Sequence, residues 1–175
     1  MRRRDLLVGA GSLAALGGGA AVAFDVVETT DSAAVEAVSL DVIAAPESNA
    51  DTVMTPERGR VTFLELFATW CNVCESMMPE LVAAHDAVGE DVQFLSVTNE
   101  PLGETVTRED VATWWREHSG AWTVAADRDL TLTREFEASG VPYAFVLDAQ
   151  NRVRWRHRGR TDAEEIRTQI RAAEE

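Results

Sequence analysis

Lysine is missing from this chain of 175 residues: all 16 basic side chains are arginine. Thirty acidic side chains oppose them, and the net charge is −14. Such a chain lacks the basic face that phosphate contacts require, which excludes a generic nucleic-acid binder. Wholesale adsorption to an anionic lipid surface is excluded on the same ground. Cysteine is almost as scarce, with Cys71 and Cys74 the only two. A disulfide-stapled mini-scaffold needs more, and an all-cysteine zinc site needs two further thiolates. Internal repeats are also missing. What is present is 46% hydrophobic residues, enough for one domain with a real core and too little for two.

The acids are spread along the chain and not gathered in a tail. A dispersed excess is a solvation device, since net charge keeps a protein soluble while the compact state repels itself. High salt relieves that repulsion, because the Debye length falls to roughly 3 Å at 1 M. In this respect the chain resembles proteins of halophilic archaea; a GC-rich genome, which favours arginine codons over lysine codons, is the alternative source of the bias.

Residues 1–23 read as an address and not as part of the fold. Arg2, Arg3 and Arg4 form a positive start, and Leu6 to Phe24 carries no charge but is rich in Gly and Ala. That composition is weakly hydrophobic for a permanent span. Arg3-Arg4-Asp5-Leu6-Leu7 resembles a twin-arginine export signal. Ala21-Val22-Ala23 fits a small-x-small cleavage pattern, and an uncleaved N-terminal anchor is the alternative. Cleavage would remove three arginines and Asp5 and leave a charge of −16. Either outcome places the domain outside the cytosol, where disulfides persist.

Residues 24–60 read as an acidic linker with short strands around Val35 to Ile43. Val61 to Phe67 is an apolar run of strand length. A helix follows Cys71, with Met78, Leu81, Val82, His85 and Val88 at helical spacing and Pro79 inside it. Val92 to Val97 is a second strand. Thr107-Arg108-Glu109-Asp110 has the pattern of a capping box opening a helix through His118. Trp122 to Ala126 reads as a strand and Leu130 to Ala138 as a short helix. Tyr143 to Leu147 and Arg152 to Arg158 form a hairpin around Asp148-Ala149-Gln150-Asn151. Thr161 to Glu164 resembles a second capping box, opening a helix with Ile166, Ile170 and Ala173 on one face. This alternation predicts an α/β sandwich, a central mixed sheet with helices on both faces.

A lone Cys-x-x-Cys is shared by metal sites and redox sites. Position sharpens this one. Cys71 falls where an apolar strand gives way to a helix, and helix N-termini present orphan N–H donors and a positive dipole end. Both stabilise a thiolate, the nucleophile of disulfide exchange. The spacing predicts Cys71 as the exposed attacking thiol and Cys74 as the buried resolving thiol.

Phe67-Ala68-Thr69-Trp70-Cys71-Asn72-Val73-Cys74 with Met78-Pro79-Glu80-Leu81 resembles the thioredoxin superfamily, and within it the TlpA/ResA-like extracytoplasmic thiol–disulfide oxidoreductases. Arg58-Gly59-Arg60 is similar to that family's Arg-Gly-Lys, Gly140-Val141-Pro142 to its cis-proline loop, and residues 91–119 to its usual insertion. The resemblance spans about residues 35 to 173 and implies a thioredoxin-like sandwich over 61–175. It implies a redox-active Cys71–Cys74 disulfide as the whole chemical equipment, with no cofactor and no metal. It implies protein thiols and disulfides as substrates, a membrane or extracytoplasmic electron donor, a monomer, and a place in cytochrome c maturation. Trp70, Val141 and Pro142 take substrate-binding roles by that likeness, and Pro79 kinks the first helix. Thioredoxins carry an acid where Glu65 stands, six residues before Cys71, and it moves the proton of the resolving cysteine. Period two puts Glu65 on one face with Phe63 and Phe67, pointing inward, where burial should raise its pKa. Glu100 falls in a loop where the family places substrate-facing residues. Asn72-Val73 departs from the family habit of a proline before the second cysteine, which leaves the reduction potential open.

The rival reading is a copper(I) metallochaperone with Cys71, Cys74 and His157 as ligands, since copper(I) favours soft thiolates. Copper-delivery relatives usually space their cysteines by three residues, which counts against it. A thiol peroxidase needs Thr or Ser three residues before its cysteine, where Ala68 stands. Arg152, Arg154, Arg156, Arg158 and Arg160 alternate with Val153, Trp155 and His157 and read as a solvated strand face that discourages edge pairing. Trp114 and Trp115 are adjacent, so one of them is expected in the core and the other at its edge. His85 reads as a core histidine.

Overall fold

The computed structural model describes residues 33–175. The twin-arginine-like segment, 1–23, lies outside the described residues. Seven strands make one sheet: β1 (Val38–Val42), β2 (Thr52–Thr55), β3 (Val61–Phe67), β4 (Val92–Thr98), β5 (Thr123–Ala126), β6 (Tyr143–Leu147) and β7 (Val153–Arg158). Their order is β2-β1-β5-β4-β3-β6-β7. β3, β4 and β5 run parallel, while β1, β2, β6 and β7 join by antiparallel pairing. Both expected elements of the class are therefore present: a mixed sheet, and helices on its two faces.

Every residue of β3 and β4 is buried, as strands covered on both faces must be. Alternation divides them. Phe63 and Phe67 face a core built with α1 (Asn72–His85), α2 (Arg108–Glu117) and α4 (Ala163–Ala173). Leu64, Leu66, Leu95 and Val97 face the opposite core, closed by Leu132 of α3 (Thr131–Glu135) and by Phe136. Strand β1 falls inside the expected Val35–Ile43 stretch. β2 was not legible in the sequence, because its burial is partial and irregular. Its following peptide, Thr55–Pro56, is cis, as is Val141–Pro142.

The helix starts follow side-chain caps. Thr107 accepts from Asp110 N–H and Asp110 answers the Thr107 N–H, so the expected capping box forms. The last helix begins one residue later than the expected capping box places it: Asp162, not Thr161, is the cap, accepting Glu165 N–H at 2.8 Å. Asp127 accepts Leu132 N–H, Thr133 N–H and the Thr133 hydroxyl, which holds α3 against β5. In the hairpin, Asp148 accepts the Gln150 and Arg152 N–H groups, and Asn151 takes a positive φ of 64°.

The buried face of α1 is Cys74, Met77, Met78, Leu81 and Ala84, so Val82 and His85 lie on its flank. His85 rests against the Phe94 and Trp122 rings at 5.2 Å each. Trp114 and Trp115 correct the sequence expectation, since both are buried. They straddle the Phe67 ring at 5.2 and 5.6 Å, which two consecutive helix positions can do when the target lies between them. Strand β7 is the sheet edge, with Arg154, Arg156 and Arg158 exposed and Val153, Trp155 and His157 half-buried. No helix among the described residues is long and apolar enough to cross a membrane.

Candidate functional site: a dithiol at a strand-to-helix junction

The chain leaves β3 through a turn in which Cys71 N–H donates to Ala68 C=O at 3.1 Å. Cys71 then takes an extended conformation as the N-cap of α1. Its sulfur accepts the Cys74 N–H at 3.1 Å, occupying the place a serine or aspartate oxygen takes in an ordinary cap. The two cysteines are disulfide-bonded with their Cα atoms 5.2 Å apart. When the bond opens, that N–H and the helix N-terminus favour the Cys71 thiolate. Cys74 is fully buried and Cys71 is 6% exposed, so the expected order of accessibility holds. Cys71 is nevertheless more sheltered than the sequence suggests, because the N-cap geometry turns its sulfur back over the first helical turn. Trp70 stands out at 70% exposure, with Val73 at 45%. Together they form an exposed apolar rim beside the disulfide.

Strand pairing brings the remaining candidates to the same end of the sheet. Leu66 pairs with Tyr143, so the cis Val141–Pro142 peptide sits beside the exit of β3. Gly140 precedes it with φ of +124°, and Pro142 C=O accepts the Gly159 N–H at 2.9 Å. Pro142 is buried and Val141 half-buried.

Glu65 is wholly buried on the α1 side of the sheet, between Phe63 and Phe67. Its Oε2 accepts the Ser96 hydroxyl at 2.7 Å, and Ser96 in turn accepts the Trp122 indole N–H at 3.1 Å. Its Oε1 has no hydrogen-bond partner. Burial pushes the carboxyl up to about 7, against the lowering pull of the Ser96 hydrogen bond. Ser96 and Trp122 went unrecognised in the sequence. The available signal was a hydroxyl inside the apolar run Val92 to Val97, which becomes meaningful only once Glu65 and Ser96 pair across β3 and β4.

His157 is not brought to the dithiol. Its Nε2 lies 3.0 Å from Arg160 C=O and its ring stacks on Trp155. Among the described residues no group of three His, Cys, Asp or Glu side chains could hold a metal ion. The three-ligand copper site that the sequence allowed is therefore not assembled. Glu100, just past the end of β4, is 5% exposed and turned inward onto Thr69 and Thr98.

The family model described as Redoxin matches residues 32–172. The chain belongs to the Redoxin family. It is a thioredoxin-like oxidoreductase. Among curated proteins it is 20% identical to the sporulation thiol-disulfide oxidoreductase A of Bacillus subtilis over 117 residues, covering 67% of this chain and 70% of that protein. The crystal structure of StoA from Bacillus subtilis matches with a TM-score of 0.66 at 18% identity, over 78% of this chain and 98% of that one. A DsbF homologue from Corynebacterium diphtheriae matches at 0.69 and 17%, covering 83% and 89%. A putative thiol:disulfide interchange protein DsbE from Chlorobium tepidum matches at 0.65 and 22%, covering 82% and 96%. At these identities the structural likeness speaks for the thioredoxin-like fold, and the Redoxin match speaks for the family.

Proposed function

We propose that this protein exchanges disulfides with partner proteins outside the cytosol, with Cys71 attacking and Cys74 resolving. The observation that carries the reading is the Cys71–Cys74 disulfide at the N-cap of α1, with the less buried sulfur facing the helix N–H groups. In the reducing direction, the Cys71 thiolate attacks a substrate disulfide, forming a mixed disulfide and releasing one substrate thiolate. Cys74, deprotonated, then attacks the Cys71 sulfur. The second substrate thiolate leaves, and the Cys71–Cys74 bond forms. Two electrons pass from the dithiol to the substrate, whose thiolates take up the protons. Glu65 accepts the proton of Cys74 in the resolving step, a task suited to a carboxyl poised near neutrality. Trp70, Val141 and Pro142 line the approach of the substrate chain.

The segment Arg3-Arg4-Asp5-Leu6-Leu7 supports export. The substrate class we name is apocytochrome c, whose paired cysteines must be reduced before haem attachment. An extracytoplasmic donor restores the dithiol.

The test is Cys74→Ala, purified from its host without reductant. Mixed disulfides through Cys71 are expected, and their partners identify the substrate. A variant that captures nothing, together with a wild type that reduces no protein disulfide, refutes the reading. N-terminal sequencing locates the export step, with a mature start at Phe24 expected.

A further inference from the structure

Glu100 is a buried carboxylate that the exchange mechanism does not use. It receives the Thr69 N–H at 2.9 Å and the Thr98 hydroxyl at 2.9 Å on Oε2, and the Thr69 hydroxyl at 2.8 Å on Oε1. Its own N–H donates to Thr98 Oγ1 at 3.3 Å, so Thr98 both accepts from the Glu100 backbone and donates to its carboxylate. The partners in this set are the Thr69 N–H and the Thr69 and Thr98 hydroxyls. Among the described residues no arginine or histidine pairs with it.

Thr69 is the second residue of the turn closed by Cys71 N–H on Ala68 C=O. Its N–H would otherwise be unpaired at the mouth of the sheet. The clamp therefore holds the one segment that sends Trp70 outward and delivers Cys71 to the helix start. It also puts a carboxylate, with no ion pair to an arginine or histidine among the described residues, on Thr69, two residues before Cys71. We propose that Glu100 is a positioning residue with two separable effects: its clamp fixes the turn carrying Trp70 and Cys71, and its charge, opposing the Cys71 thiolate, lowers the reduction potential of the dithiol. The helix N-terminus pulls Cys71 toward the thiolate, and Glu100 pulls the other way. A thiolate held back in this manner favours the disulfide and makes the dithiol the stronger reductant. The inference rests on exchange chemistry at Cys71.

Two substitutions separate clamp from charge. Glu100→Gln keeps the clamp, because the amide oxygen can accept at the Oε2 position while the amide nitrogen donates to the Thr69 hydroxyl. Only the charge is lost. We expect the midpoint of the pH profile for Cys71 alkylation to fall, and the equilibrium with a glutathione redox buffer to move toward the dithiol by about threefold to tenfold. Glu100→Asp keeps the charge but is one methylene too short to reach both threonines. It should stay within about twofold of wild type in that equilibrium while the turn is cleaved faster by protease. If the Gln variant does not fold, Thr98→Val serves instead: it removes one donor facing the carboxylate, so the alkylation midpoint should rise. A Glu100→Gln protein with wild-type potential and alkylation profile overturns the inference while exchange stands, as does Thr98→Val with an unchanged midpoint. A wild type that fails to equilibrate with glutathione overturns both.

Discussion

Replacing Glu65 by Gln should make the oxidised protein relatively more stable as pH rises. In the fold this carboxyl is pushed from the model-compound value of 4.5 up to about 7, chiefly by complete burial. Below 4.5 both folded and unfolded chains hold the proton and nothing is gained or lost. Between 4.5 and 7 only the folded chain holds it, so raising the pH favours unfolding. At 1.4 kcal/mol for each pH unit across that window, wild type loses about 3 kcal/mol of stability that Gln cannot lose. The orphaned Oε1 becomes an orphaned amide, which shifts the variant at all pH values but not with pH. The assay is urea unfolding of both proteins with the disulfide closed, from about pH 4 to about pH 9, a range that brackets both ends of the titration. The quantity to read is the difference between the two stabilities, since the other acids titrate alike in both and cancel. We expect this difference to drift by about 3 kcal/mol in favour of Gln, with its midpoint between the two pKa values. Parallel curves would refute the raised pKa. The same variant should release mixed disulfides more slowly in single turnover near neutral pH. Unchanged release with a drifting stability difference would leave Glu65 buried and titrating but remove it from catalysis.

Ser96→Ala strips Glu65 Oε2 and the Trp122 indole N–H of their shared partner and should cost about 1–3 kcal/mol. Because that hydrogen bond is what lowers the Glu65 pKa, the loss should be larger at alkaline pH than at acid pH, which unfolding at the two extremes will show. Gly120→Ala would drive its Cβ into the buried Trp115 ring, which is already packed against Phe67 and Trp122. We expect about 1–3 kcal/mol of overpacking by urea unfolding, and a stability equal to wild type would show that the ring can yield.

The elements with strong periodicity were readable in advance. β3 and β4 are apolar runs because both faces are covered, and α2 announces its start with a capping box. β2 was not readable, since an edge strand need not bury a regular set of side chains. The sequence pattern points to Thr161 as the N-cap of α4 and the structure has Asp162, because two neighbouring residue types can both cap and only the chain direction chooses between them. Glu100 shows the same limit at the site. A glutamate before a proline reads as a surface loop, and only the approach of Thr69 to the end of β4 turns it inward.

Local pattern alone located the cysteine pair at a helix start and the side of the sheet that Glu65 faces. Two cysteines at one helix start leave no other dithiol, and strand alternation is a local geometric rule. Tertiary structure decided what those groups are bonded to. Ser96 reaches Glu65, Trp122 reaches Ser96, and Glu100 reaches Thr69 only because strands far apart in the chain lie side by side. Proton affinity and thiolate stability depend on burial and on such partners, and these are properties of the assembled core that no local pattern carries.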